Sequence, residues 1–183
     1  HTMRGKSHIS LGYYLIDRYL SHVPRRYQRA FLLGCIEPDR NPATYLKGSV
    51  RFQWLRGHNY LNAQQFMQRI AARLEKKESL HLWDYYTLGK LIHYTTDAFT
   101  FAHNETFPEK LSDHMDYEVR LQNYFLDYLQ RQPAVTVRPA KSVMDGIFGY
   151  HREYREKRTN IYRDSRFAVQ ACCCVLAVLF APL

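Results

Sequence analysis

Two histidine–carboxylate pairs in this 183-residue sequence have the spacing that brings both side chains onto one face of a helix. His93 and Asp97 are four residues apart, as are His114 and Glu118, and His103 lies between the two pairs. Neutral imidazole nitrogens and carboxylate oxygens are ligands of zinc sites that keep one coordination position open. If two consecutive helices face one cleft, these five residues predict a metal site.

Three further residues of ligand type lie upstream of these pairs. His8 belongs to the first predicted helix, Asp39 follows the second, and His58 closes a segment, 37–58, that is rich in Pro, Asn, Gly and Arg. Long segments without periodicity tend to be functional in compact domains. Five of the nine histidines therefore occupy candidate ligand positions.

A purely structural role for the same residues stays open. A lone histidine on an apolar helix face is usually a hydrogen-bonded core residue, and His93 with Asp97 could form only an intrahelical pair. A buried ionised carboxylate needs a cation or a metal, and Arg120 or Lys90 is the alternative partner of Asp97. The remaining internal histidines fit no ligand spacing and are predicted to be surface or cap residues: His22, His81 and His151.

The elements that must position these residues are helices. Apolar residues at helical spacing predict an all-α, single-domain globule of about seven helices, with the metal cleft between helices. Segment 80–100 is apolar around most of its circumference and should be the central helix. Gly34 and Pro38 should end the second helix. The predicted helices are 7–23, 25–35, 60–77, 80–100, 106–131, 140–158 and 161–181.

The composition indicates a folded helical domain with a basic surface. Hydrophobic residues at 46% and aromatic residues at 15% exclude disorder, and only 8 Gly and 7 Pro argue against a turn-rich β fold. The formal charge of +9 fits an anionic partner, or a solvated basic surface with no role beyond solubility, which the charge taken alone favours. Because the cations are dispersed, the charge distinguishes only weakly between nucleic acid, lipid and phosphorylated substrates.

The ends of the chain and its cysteines suggest a compartment. Cys35 and the run 172–174 cannot form a spaced disulfide framework, so they are expected to be buried thiols in a reducing environment. Residues 1–6 precede the domain, 7–183, and His1-Thr2 resembles a cloning remnant. No leader is visible, so a cytoplasmic location is expected, or export if a leader was removed. The apolar run 168–182 is shorter than the roughly 20 residues of a membrane span and predicts a buried terminal helix.

Several segments resemble the zinc-dependent bacterial phospholipases C, whose superfamily also contains fungal single-strand nucleases. The resemblance covers residues 7–129 and is strongest over 86–118. It implies a helical fold and the hydrolysis of a phosphodiester bond. The segments that carry it are His8-Ile9-Ser10, residues 86–97 (YTLGKLIHYTTD), Ala102-His103-Asn104 and residues 114–118 (HMDYE).

The resemblance also implies ligands for two or three zinc ions. Such clustered cations neutralise phosphate oxygens and lower the pKa of water. Asp97 would bridge two ions, and Asp39 is the candidate general base or a ligand only. The first position would be held by Asp39, His58, His93 and Asp97, and the second by His103, His114 and Glu118. The third would be held by His8 with Asp97. The family completes this third position with an N-terminal Trp, which is not found at the start of this chain.

The favoured function is that of a zinc-dependent phosphodiesterase of the phospholipase C type. Its substrate would be a phospholipid or another phosphodiester, with transient contact to a membrane surface and no transmembrane span. A nuclease of the same superfamily is the alternative enzyme, with nucleic acid the less favoured partner. A zinc-stabilised binding module without catalysis is the alternative from another class. The headgroup and the oligomeric state stay open.

Overall fold

The computed structural model describes residues 3–40, 59–100 and 111–180, and at 3–4, 38–40, 59–62 and 111–115 it describes the backbone alone. Within these ranges the chain forms seven α-helices and no strand, as predicted. A π-helical turn, Ile16–Leu20, continues the first helix. The helices are α1 (Met3–Leu15), α2 (Arg25–Arg40), α3 (Asn59–Glu75), α4 (Leu82–Ala98), α5 (Leu111–Gln130), α6 (Val143–Arg155) and α7 (Ile161–Leu179).

Helix α4 is the central helix, as its apolar circumference predicts. It is buried along almost its whole length and contacts α1, α2, α3 and α7. His81 is the N-cap of this helix: the buried Asp84 carboxylate accepts the His81 backbone N–H at 3.0 Å and pairs with the Lys77 ammonium at 2.6 Å. These contacts hold the pKa of Asp84 below its ordinary value although burial alone would raise it. His81 is thus a cap residue, as predicted.

Helices α2 and α4 run parallel and meet at their backbones. The rings of Tyr27 and Tyr85 stack near one end of the contact, with centroids 5.2 Å apart. Further along, a Cβ atom on Gly34 would overlap the carbonyl oxygen of Tyr86, and one on Gly89 would overlap that of Phe31. Only glycine permits so close an approach.

The prediction that Gly34 and Pro38 end the second helix is wrong. Helix α2 continues to Arg40 because Gly34 is a packing residue: the contact with α4 offsets the roughly 1 kcal/mol that a glycine costs in a helix interior. The backbone carbonyl of Cys35 contacts His93 on α4, and the last residues of α2 extend beyond this contact.

Helix α7 closes the core, as the apolar terminal run predicts. Its buried side packs on α4, where the Cys172 sulfur lies 3.4 Å from the Thr96 hydroxyl, and on α6, where Cys174 occupies the space beside Gly146. All four cysteines are buried free thiols, and burial raises the pKa of Cys173 to about 11. No helix in the described ranges is both long and apolar enough to cross a membrane.

The glycine contact predicts the cost of adding one methyl group. We expect Gly34→Ala or Gly89→Ala to lower the free energy of unfolding by about 3 kcal/mol, because the neighbouring atoms are backbone and cannot rotate away. Gly149→Ala is the matched control: it also lies in a helix, but nothing is within 4 Å of its added Cβ. It should stabilise by about 0.5–1 kcal/mol in urea denaturation. Equal effects at the three glycines would contradict the proposed packing role.

Candidate metal centre

Three of the predicted ligands meet in a buried cluster at the C-terminal half of α4. The two oxygens of the Asp97 carboxylate have different partners: His8 Nε2 lies 3.4 Å from Oδ1, and His93 Nε2 lies 3.1 Å from Oδ2. His8 comes from α1, so the cluster joins two helices. One donor atom from each residue lies within 4.8 Å of the other two.

The backbone of α2 sets the orientation of His93. Its Nδ1 lies 2.7 Å from the carbonyl oxygen of Cys35. A carbonyl oxygen can only accept a hydrogen bond, so Nδ1 carries the proton. Nε2 is then the nitrogen that faces Asp97: it can donate a proton to the carboxylate, or, once that proton is lost, bind a metal through its lone pair. A metal-ligating histidine is commonly fixed in this way by a backbone carbonyl.

The two imidazole rings stack, with centroids 3.9 Å apart and planes 21° from parallel. His8, His93 and Asp97 are 3%, 2% and 7% exposed, so the donor atoms are held within the core rather than on a mobile surface. Burial alone would raise the pKa of Asp97, but the two histidines hold it well below its ordinary value. The carboxylate is therefore ionised at neutral pH.

The donor chemistry of this cluster fits zinc. Imidazole nitrogen and carboxylate oxygen are both common zinc ligands, and one histidine is fixed in the tautomer that a metal needs. Two Nε2 atoms and a carboxylate offer three donors, the number that catalytic zinc sites use while keeping a position open. Each oxygen of Asp97 faces a different histidine, which is also the arrangement that a bridging carboxylate needs.

Among the residues whose side chains the structure describes, the cluster contains none of the other five predicted ligands. His58 and His103 lie outside the described ranges, and for Asp39 and His114 only the helical backbone is described. Asp39 lies one turn beyond Cys35 on α2, at the end of the helix that contacts His93. Glu118 is half-buried on α5, which packs against α1.

Neither of the cations that could have paired with Asp97 in a purely structural role, Lys90 and Arg120, is among its described ion-pair partners. The described ion pairs of Asp97 are with His8 and His93. The Lys90 ammonium instead lies over the ring of Tyr86, 5.0 Å from its centroid. Arg120 is exposed on α5.

A second buried carboxylate, Asp164, was missed by the sequence analysis. It is 0% exposed and accepts hydrogen bonds from the hydroxyls of Tyr154 at 2.6 Å, Thr159 at 2.5 Å and Tyr117. Tyr117, the residue before Glu118, belongs to α5, and Tyr154 belongs to α6, so Asp164 on α7 joins three helices. Widely separated hydroxyl donors leave no periodic signal, so only the fold brings them to one acceptor.

The burial of His151 differs from the prediction. It is predicted to be a surface or cap residue, yet it is 4% exposed and packs edge-on against Phe99, with ring centroids 5.4 Å apart. Burial, together with the nearby Arg155, lowers the pKa of His151 to about 4. The helical periodicity of α6 places it on the inward face beside Ile147, four residues earlier, and this spacing is the sequence signal of its burial.

Comparison with known proteins gives one match. A family model described as zinc-dependent phospholipase C matches residues 7–173. This range contains His8, His93 and Asp97 and every other predicted ligand. No curated protein and no solved structure matches the chain significantly.

The cluster predicts that zinc stabilises the fold. At a free zinc concentration about 100 times the dissociation constant, binding contributes about 2.7 kcal/mol and should raise Tm by about 5–10 °C. Asp97→Asn should abolish this rise. Asp84→Asn is the matched control, because it removes a buried carboxylate from the same helix without touching the cluster. It should lower Tm but keep the zinc response; a response that survives in Asp97→Asn contradicts the site.

The buried His151 predicts a loss of stability in acid. Its folded-state pKa of about 4 lies below the ordinary 6.5, so the stability it contributes is present above pH 6.5 and is lost as pH falls towards 4. Between pH 7.5 and 5 the loss is about 2 kcal/mol. In urea denaturation with a chelator present, the free energy of unfolding should therefore fall by about 2 kcal/mol less in His151→Gln than in wild type over this pH range. His22 is exposed, so His22→Gln should lose as much stability between these pH values as wild type. If His151→Gln loses as much as His22→Gln, the acid sensitivity does not come from His151.

Proposed function

The chain belongs to the zinc-dependent phospholipase C family, and from this premise we propose that it is a zinc-dependent hydrolase that cleaves the phosphodiester bond of a phospholipid. The observation that carries the proposal is the buried cluster of His8, His93 and Asp97. A hydrolase of this kind needs cations close to a phosphate, and this cluster is the part of the described chain that fits a metal ion.

The residues of the cluster have distinct roles in this proposal. His93 would hold a zinc ion through Nε2, because the backbone carbonyl of Cys35 keeps the proton on Nδ1. Asp97, which lies between His93 and His8, would be the shared carboxylate ligand. When bound, zinc supplies positive charge that stabilises the developing charge on the phosphoryl oxygens. The buried site excludes water from the carboxylate, so its charge acts in a medium of low dielectric constant.

Asp39 is our proposed general base. Its position supports this role, since it lies one helical turn beyond Cys35 and thus at the end of α2 that contacts His93. A carboxylate near the phosphate can accept the proton of the attacking water as the new P–O bond forms, while the P–O bond to the leaving alcohol breaks and the alcohol oxygen takes up a proton. We further propose Asp39, His58, His103, His114 and Glu118 as the remaining ligands of two or three zinc ions.

The proposal predicts zinc-dependent turnover. Protein loaded with zinc should hydrolyse phosphatidylcholine and a chromogenic phosphodiester, and a chelator should abolish both activities until zinc is restored. Asp97→Asn should lower kcat/KM at least about 100-fold, since changes even to residues that support metal ligands cost 10- to 100-fold. Asp84→Asn, assayed below its Tm, is the control and should keep its activity.

The same assay separates the competing functions. Turnover of single-stranded DNA without turnover of phospholipid would favour a nuclease. Bound zinc without turnover of any substrate would favour a binding module. Protein that neither binds zinc nor loses activity in Asp97→Asn would contradict the proposal as a whole.

A further inference from the structure

One side of the molecule combines exposed aromatic and apolar side chains with cations. The helical stripes that form it lie side by side on α2, α4 and α3, and we call them the basic aromatic face. Its residues are Arg26, Arg29 and Leu33 on α2; Trp83, Tyr86 and Lys90 on α4; and Phe66, Arg69 and Arg73 on α3.

Contacts between the stripes show that they form one surface. The Lys90 ammonium lies over two rings, 5.0 Å from the centroid of Tyr86 and 5.9 Å from that of Phe66, so α4 and α3 share it. The ring of Trp83 lies 4.8 Å from that of Tyr86. Glu37, one turn beyond Leu33 on α2, is hydrogen-bonded to the Tyr86 hydroxyl. The three helices therefore present these residues together.

The apolar part of the face includes large side chains that are mostly exposed. Trp83 is 60% exposed and Leu33 is 55% exposed, and both stand one turn before the Glu37–Tyr86 contact on their parallel helices. Leu82, beside Trp83, is 49% exposed. Large exposed apolar side chains grouped within a rim of charge mark interaction surfaces rather than ordinary surface.

The charge of the face is strongly positive. It carries five cations: Arg26, Arg29, Arg69, Arg73 and Lys90. Along the described stripes the one carboxylate is Glu37. Asp84 is only 1% exposed, but it pairs with Arg73 at 3.5 Å and so offsets part of the positive charge of the face. An occupant of this face should therefore be anionic and should also accept a tryptophan ring.

The face leads to the metal centre. His93 follows Lys90 by three residues on α4 and continues the stripe of Tyr86 one turn further on. On α2 the stripe ends at Glu37, two residues before the candidate base Asp39 in the sequence. A surface that binds along this face would thus lie next to the site where a phosphodiester is cleaved.

We propose that the basic aromatic face docks the protein on an anionic phospholipid bilayer, an inference that rests on the proposed function for its purpose. Tryptophan and tyrosine prefer the membrane–water interface, where the ring lies among acyl chains and the polar edge reaches the headgroups. Leu33 adds apolar area, and Arg29 and Arg69 contact lipid phosphates, each contributing about fivefold to binding at an anionic surface. Docking supplies lipid to the adjacent site.

The direct test uses Trp83 as its own reporter. The chain has two tryptophans, so Trp54→Phe leaves Trp83 as the sole one. With vesicles of phosphatidylglycerol and phosphatidylcholine, its emission should shift to the blue and be quenched by brominated acyl chains. The shift should weaken as salt screens the phosphates, and pure phosphatidylcholine should give a much smaller shift.

Matched variants separate the face from general surface effects. Co-sedimentation with anionic vesicles should fall about tenfold for Trp83→Ala and about 25-fold for Arg29→Gln with Arg69→Gln. Tyr13→Ala is the aromatic control, since Tyr13 is 57% exposed on α1. Lys157→Gln with Arg158→Gln is the charge control, because both residues are exposed after α6. Both controls should bind as wild type, with Tm confirming that every variant is folded.

The possible results distinguish this inference from the proposed function. Wild type that binds anionic vesicles through these residues but hydrolyses no soluble phosphodiester keeps the docking face and overturns the function. Wild type that hydrolyses the soluble substrate but does not bind vesicles overturns the docking face alone. Equal losses in the face and control variants, or binding of single-stranded DNA in place of vesicles, also overturn it.

Discussion

The approach of α2 to α4 is the constraint on which the metal centre depends. Glycines on both helices remove the side chains that would hold the backbones apart. The Cys35 carbonyl can then reach Nδ1 of His93, which fixes the tautomer and directs Nε2 towards Asp97. Packing, hydrogen bonding and metal chemistry are thus consecutive results of one contact, because a displacement of either helix by the width of a methyl group would break the bond to His93.

Three buried carboxylates show how differently this core accommodates negative charge. Asp84 has a cation and a backbone donor, and it begins a helix. Asp164 has hydroxyl donors from several helices, and it joins them. Asp97 has two imidazoles, whose nitrogens can release their protons and bind a metal instead. Since lysine is a poor metal ligand at neutral pH and hydroxyls are weak ones, the partners rather than the carboxylate decide which of the three can become a metal centre.

The sequence was informative where chemistry and periodicity coincide. The spacing of His93 and Asp97 predicted their shared face, and the apolar circumference of segment 80–100 predicted its central position. It failed where the decisive contact was tertiary. Gly34 has the local signature of a helix end, yet a partner helix makes it a packing residue. The Cys35 carbonyl is invisible in any residue pattern, because every residue has one.

The atom that orients His93 is a main-chain oxygen, and this affects how the site tolerates mutation. A substitution at position 35 changes the side chain but leaves the oxygen that orients His93 in place, provided that the new side chain fits the core. The vulnerable positions are instead two residues that have no side chain and bind nothing. In a mutational scan scored by zinc retention, Gly34 and Gly89 should therefore be sensitive as well as the ligands His8, His93 and Asp97, although a search for functional residues by chemical type alone would overlook both glycines.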